Sequence, residues 1–404
     1  MIVSYILMQI YTIREILMGL LKNELLRFNP WWDDEFPGSF IKRPVYVNFF
    51  SKNLSNKDII ILTGLRRAGK TSLLKMFIKA LLNEVEKEKI FYASLDSIAL
   101  EKYSIAELLN EYRKLHKISL SEKIYLFFDE ITYRKNISLE LKNLYDSENV
   151  KLFVTSSSAS LLQEKNAYLT GRARILEVFP LDFNEYLAFK KIKIKRSESY
   201  LTESYFEDFM QTGGMPEYVL TNDVSYLDNL IDSILYKDIA GYYGVRDMTL
   251  LKDFFRLLME RTGKQLSISK VSKVLDISVD TVRRYFDYFL RTYLIFAIER
   301  CGKLNERLKA PKKIFSIDTG LKSYVSGFHD KGSLFENLVF LKIKKYNPCY
   351  VYQNGIEIDF YFDGKLLETK YFGKLNAKQK KLFDSFPAKE KIIVDDVGGY
   401  LKLK

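Results

Sequence analysis

Residues 60–77, IILTGLRRAGKTSLLKMF, read as an apolar strand, a glycine-bounded loop and the first turns of an amphipathic helix. Few short segments restrict a chain's fold so tightly. Gly64, Gly69, Lys70 and Thr71 fit the pattern G-x-x-x-x-G-K-[ST], in the strand–loop–helix setting that the pattern requires. Glycines let the backbone curl so that successive N–H groups and the helix N-terminus face an anion. The stretch Gly64, Leu65, Arg66, Arg67, Ala68, Gly69, Lys70, Thr71 and Ser72 is therefore the expected cradle of a nucleoside triphosphate. In it Lys70 reaches the β- and γ-phosphates and the Thr71 hydroxyl ligates Mg2+.

The 404 residues suffice for two to four domains, and 47% hydrophobic content with only 19 Gly and 8 Pro makes the chain globular throughout. Two cysteines, Cys301 and Cys349, and two histidines, His116 and His329, are too few for a zinc site or a disulfide framework. That usage suits a reducing, cytoplasmic setting. The net charge is +12, and from Cys301 onward 20 Lys/Arg face 12 Asp/Glu. An excess of that sign suits phosphate-rich partners or an anionic surface, although a lysine-rich solvated exterior gives the same count. The first 22 residues are apolar but lack a basic leader and a small-residue cleavage site, and Arg14 and Glu15 interrupt the run. An amphipathic helix packed on the body, a peripheral membrane foot, or a start at Met18 each accounts for them.

From about Leu54 to Glu185, buried strands alternate with helices, as in a parallel sheet covered on both faces. The strands are DIIILTG, KIFYASL, KIYLFFDE, KLFVTSS and RILEVFP; SIAELLNEYRKL and SLELKNLYD are helices between them. Trp31 and Trp32 are expected to anchor the entry segment. Residues 185–252 become mostly helical, and after Ala310 strands return as CYVYQ, IEIDFYF, KLLETKYF and KIIVDDV.

KIYLFFDE ends in Asp129 and Glu130, an acidic pair at the carboxyl end of a buried strand, where it lies beside a phosphate loop. Asp129 is expected to hold Mg2+ through water, and Glu130 to act as general base on the attacking water. The next strand finishes in hydroxyls, so Ser156 or Ser157 can meet the γ-phosphate or that water, with Ser158 as a helix cap. Arg172 and Arg174 follow, each either a finger for a neighbouring subunit's site or a plain surface arginine.

GLRRAGKTS, FFDE, the serine-ending strand, TGRARILEVFPLDFNEY and TGGMPEYV together resemble the prokaryotic, largely archaeal AAA+-type (STAND-like) P-loop ATPases that carry a C-terminal DUF4143 region. The resemblance covers residues 30–380, with Gly171, Arg172, Pro180 and Phe183 matching family hallmarks. It implies a P-loop NTPase α/β sheet in residues 51–185 after a helical segment 1–50. A helical lid (186–252), a winged helix (253–310) and a restriction-endonuclease-like α/β domain (311–404) are expected to follow. It also implies ATP and Mg2+ as cofactors and a homo-oligomer.

Within this frame SISKVSKVLDISVDTVRRYF reads as helix-turn-helix, with helices over 268–275 and 279–293. Arg283 and Arg284 on the second helix are placed for a phosphate or base edge, unless the module only packs against protein. Further on, Glu336 lies on a helix, Asp359 on a strand, Glu368 and Lys370 on one face of the next strand, and Gln379 opens a helix. The order resembles a PD-(D/E)xK nuclease core, with Asp359 and Glu368 as metal ligands and Lys370 steadying water or phosphate. A degenerate fold that only binds is the alternative. The resulting expectation is an ATPase acting on DNA in repair, recombination or defence, against a protein-remodelling or signalling ATPase.

Overall fold

The computed structural model describes residues 19–33, 36, 38–134, 136–157 and 168–403. The apolar segment up to residue 18 and the cap assigned to Ser158 lie outside the described residues. The chain divides into two compact units. One holds residues up to Gly64 and Gly69–Val178, and the other Leu65–Ala68 and Phe179–Lys404. Among the described residues no helix is long and apolar enough to cross a membrane.

The first unit is built on five parallel strands, β1 (Ile59–Thr63), β2 (Ile90–Ser94), β3 (Ile124–Asp129), β4 (Val150–Ser156) and β5 (Ala173–Glu177), in the order β2-β3-β4-β1-β5. β1 and β4 are buried along their whole length, which is why they read as continuous apolar runs rather than alternating ones. Trp32 anchors the entry segment as expected: its indole N–H donates to Ile90 O at 3.0 Å and its ring stacks on Tyr112 and Phe91.

The second unit carries two further sheets. β6 (Gln265–Leu266), β7 (Ile295–Ile298) and β8 (Lys312–Ser316) form an antiparallel sheet ordered β6-β8-β7, with the helices Ile268–Leu275 and Val279–Arg291 between β6 and β7 in the chain. β8 therefore carries this sheet past residue 310, where the sequence reading had ended it. The other sheet is ordered β12-β11-β10-β9, from β9 (Cys349–Gln353), β10 (Ile356–Phe362), β11 (Lys365–Thr369) and β12 (Glu390–Val394). Its first three strands run antiparallel in succession, and β12 returns parallel to β11 after the Ala377–Ser385 helix. The Lys331–Ile343 helix is mostly buried, with Phe335 and Phe340 fully enclosed and the polar Ser333, Glu336 and Asn337 buried beside them.

The motif TGGMPEYV is explained by a close backbone approach in this unit. Gly213 and Gly214 meet Asp318, which caps the Thr319–Ser326 helix by accepting from Leu321 N at 2.9 Å and also accepts from Gly214 N at 2.6 Å. A Cβ on Gly320 would lie 2.0 Å from Thr212 O, so the two turns interlock without room for side chains. Burial pushes the Asp318 carboxyl up to about 6, although three backbone N–H groups oppose the rise. Its folded pKa thus exceeds the unfolded one, so its contribution to stability is fully present below about pH 4 and is lost as pH rises through about 6. Denaturant midpoints between pH 4 and 7 should show a downward trend in wild type relative to Asp318→Asn; parallel curves would contradict this.

Cys301 and Cys349 form a disulfide, closing a loop of sequence separation 48 with Cα atoms 5.2 Å apart. The chain just after β7 runs beside β9, with Cys301 N donating to Tyr350 O at 2.8 Å, and this places the two sulfurs together. The two cysteines make a single bridge rather than a framework, so cysteine usage alone no longer points to a reducing compartment.

Candidate nucleotide site and a second carboxylate cluster

The phosphate loop leaves β1 through Gly64 at φ +142°, where a Cβ would meet Val178 O at 2.3 Å. Gly69 at φ +100° starts the Lys70–Leu81 helix in a left-handed conformation. Both glycines of the pattern are thus required by backbone shape. Lys70, the first helical residue, is buried and donates from Nζ to Gly64 O at 2.9 Å, while Thr71 and Ser72 are exposed at the helix start. Leu65 and Ala68 at the loop tip are fully buried; Arg67 takes φ +62° with its guanidinium 5.1 Å from the Tyr226 ring. Arg66 makes a two-pronged ion pair with Asp238, at 2.9 Å and 2.6 Å. Neither partner was anticipated, because residues 172 positions apart (Arg66 and Asp238) or nearly as far (Arg67 and Tyr226) have no shared local signal.

The acids stand two strands away from β1, with β4 between. Asp129 ends β3 buried, accepting from the Tyr92 hydroxyl at 2.9 Å and from the Thr155 hydroxyl. Burial and the neighbouring Asp129 charge push the Tyr92 phenol far above its ordinary range, so it stays a donor. Glu130 adopts φ +51°, anchored by its N–H to Thr155 Oγ1 at 2.8 Å. Its Oε1 accepts from Ser157 N at 3.2 Å, Ser157 Oγ at 3.0 Å and the Thr132 hydroxyl. Ser156, fully buried and in register with Thr63 of β1, has its hydroxyl 3.2 Å from that of Thr132. Of the two serines offered as sensors, Ser157 is the one that touches Glu130. Tyr92, Thr132 and Thr155 hold the acids in place, and only the hydroxyl-rich end of β4 hinted at them. A hydroxyl at Thr71 and a carboxylate at Asp129 are hard oxygen donors that fit Mg2+.

Arg172 does not reach this site within its own chain. Its carbonyl accepts from Ile59 N, at the sheet edge opposite the loop, roughly 15 Å of strand away, and its guanidinium pairs with Asp146 at 3.0 Å. Arg174 pairs with Asp58. Arg283 and Arg284 are exposed on the Val279–Arg291 helix, the first 3.2 Å from Asp280 and the second 3.3 Å from Thr281 Oγ1.

The structure brings Glu336, Asp359, Glu368 and Lys370 together as the spacing implied, and adds Lys313 of β8. The Lys313 ammonium is 1% exposed and lies 2.5 Å from Glu336, 2.9 Å from Asp359, and within ion-pair reach of Glu357. Lys370 pairs with Glu368 at 2.8 Å, and Gln379 Nε2 donates to Glu368 at 3.3 Å. Burial alone would lower Lys313, but Asp359, Glu336 and Glu357 hold it well above its ordinary value. Burial, then the Asp359 charge, pushes Glu336 well above the carboxylate range and Glu368 to about 7. Against burial, Lys313 and Thr369 keep Asp359 low. Among the described residues no group of three or more Asp, Glu, His or Cys is disposed to hold a metal ion. Of the expected ligand pair, Asp359 faces Lys313 and Glu368 faces Lys370.

A parallel sheet ordered β2-β3-β4-β1-β5, with a phosphate loop after β1 and an acidic end on β3, defines an AAA-type P-loop NTPase domain. Residues 56–187 match the family described as AAA domain, and residues 203–332 match a Domain of unknown function (DUF8612), in place of the DUF4143 region that the resemblance implied. Methanocaldococcus jannaschii has two similar proteins, both named as uncharacterized. MJ1544 is 30% identical over 85% of this chain and 80% of its own length, and MJ1637 is 28% identical over 84% and 81%. The chain belongs to the family of AAA-domain proteins that includes MJ1544. Among solved structures, the Walker-type ATPase paby2304 of Pyrococcus abyssi is similar over 71% of this chain and 96% of that one, at 16% identity and a TM-score of 0.46.

Proposed function

We propose that the chain is a Mg2+-dependent ATP hydrolase that acts on DNA. The observation that carries the ATPase reading is the alignment of three strand ends. Lys70 follows β1, Ser156 and Ser157 close β4, and Asp129 and Glu130 close β3. Glu130, oriented by Ser157 and Thr132, is the general base for water; Asp129 and Thr71 would hold Mg2+; Lys70 meets the β- and γ-phosphates. Bound Mg2+ neutralises charge on the phosphates. In this reading Arg172 serves as a finger toward a neighbouring copy in a homo-oligomer; within its own chain its guanidinium pairs with Asp146.

The DNA reading is supported by the exposed Arg283 and Arg284 on the second helix of a helix pair that lies between β6 and β7 of an antiparallel sheet. The basic excess after Cys301 adds to it. A client protein in place of DNA is the second reading, favoured by the internal pairing of both arginines. Turnover measured with and without duplex DNA separates the two. Under the first reading DNA raises turnover, and affinity drops by about a hundredfold between about 50 and 200 mM salt, as release of counterions from some four phosphates gives. No binding at low salt with ATP present would reject the DNA reading and leave the ATPase reading standing.

A further inference from the structure

We infer that the carboxylate cluster of the second unit is closed to divalent cations by the chain's own Lys313, whose ammonium stands in the place that a nuclease-type order of residues would give to a metal. The helix bearing Glu336, the antiparallel strands bearing Asp359 and Glu368, the ensuing helix and the parallel return of β12 imply such a metal. The side chains present do not fit it.

Every oxygen of the two expected ligands is already engaged by a protein donor. Asp359 Oδ1 receives Lys313 Nζ, and Oδ2 receives Thr369 N at 2.9 Å and Thr369 Oγ1 at 2.6 Å. Glu368 Oε2 receives Asp359 N at 3.0 Å, and Oε1 receives Lys370 Nζ at 2.8 Å. A magnesium or manganese ion bonded to Glu336 and Asp359 at about 2.1 Å would overlap an ammonium 2.5 Å and 2.9 Å from the same groups. The two cations would also repel at close range in a buried setting.

The obstruction is part of the fold's framework. Lys313 sits on β8 directly across from Gln265 of β6, and both reach Glu357: Gln265 Nε2 donates to Oε2 at 2.6 Å and Lys313 to Oε1. Two cross-strand partners of the three-stranded sheet are thus clamped on the acids of the four-stranded sheet, and withdrawing the ammonium breaks its pairs with Glu336, Glu357 and Asp359.

The test is Mn2+ titration of the nucleotide-free full chain, followed by the electron paramagnetic resonance signal of the free ion. Wild type and Asp359→Asn are expected to take up equal amounts of Mn2+. Lys313→Met is expected to take up one more Mn2+ per chain than wild type, and the double variant Lys313→Met/Asp359→Asn to lose it. Uptake by wild type of one Mn2+ per chain that Asp359→Asn abolishes would overturn the inference. So would a folded Lys313→Met chain, judged by circular dichroism, whose uptake equals that of wild type. Should Lys313→Met fail to fold, wild type against Asp359→Asn decides alone. Because the readout is metal uptake without nucleotide, it is independent of whether the chain hydrolyses ATP or binds DNA.

Discussion

Lys70→Ala is expected to lower the turnover of ATP hydrolysis by roughly a hundred- to thousandfold, the loss of about 3–4 kcal/mol typical when one preorganised charge-stabilising donor is removed. The lysine starts the Lys70–Leu81 helix with its ammonium turned in, 2.9 Å from Gly64 O, so its position is set by the loop's own carbonyl. Alanine keeps the helix start and the loop glycines but leaves nothing to meet charge developing on the γ-phosphate. Phosphate release gives the rate, and calorimetry with ATP separates lost binding from lost chemistry. Glu130→Gln is the companion: its carboxamide keeps an acceptor for Ser157 and Thr132, so nucleotide binding persists while turnover drops by about 10²- to 10⁴-fold. A Lys70→Ala chain that hydrolyses ATP within a factor of about three of wild type would remove the basis for placing the triphosphate here.

The largest expected loss of stability comes from Gly214→Ala. A Cβ there would lie 2.1 Å from Leu181 O and 2.7 Å from Leu181 N, both backbone atoms unable to swing aside. Leu181 N donates to Gly214 O at 2.7 Å, and Gly214 N to Asp318, so parting the two segments breaks both bonds and uncovers a buried carboxylate. A cost above about 4 kcal/mol follows, in the range reserved for broken buried networks and backbone clashes. Gly332→Ala provides the contrast: no atom lies within 4 Å of its added Cβ and the residue is helical, so a gain of about 0.5–1 kcal/mol is expected. Urea midpoints for the two variants should move in opposite directions. A Gly214→Ala midpoint at the wild-type value would show that the Leu181 and Asp318 segments yield easily.

Where local sequence and tertiary demand agree, the elements were legible. DIIILTG, KIFYASL, KIYLFFDE and KLFVTSS became β1 to β4 within a residue or two, because fully buried parallel strands need unbroken apolar runs. CYVYQ and IEIDFYF are β9 and β10 as read, and the helix 268–275 has the expected bounds. The loop and acids of the candidate nucleotide site stand at the strand ends where they were expected, since glycine spacing and a strand-end carboxyl pair are local signals. Its supports, Tyr92, Thr132 and Thr155, were not legible, because their role is set by which strands become neighbours. KKIFS escaped notice as a strand for the same reason that Lys313 escaped notice as a charge partner. A short β-strand opening on two lysines looks solvent-facing until its pairing places one of them under the carboxylates. The cysteine pair, 48 residues apart, likewise needed β7 and β9 to be side by side.

That bridge turns residues 301–349 into a covalent ring, and Lys313 and Glu336 both lie on its circumference. Asp359 and Glu368 hang from the strands that leave it at Cys349. If β8 peels away for an instant, the tether keeps its amine within a short radius of the same oxygens. It returns to them as an intramolecular neighbour at high effective concentration, rather than as one competitor among the ions of the solvent.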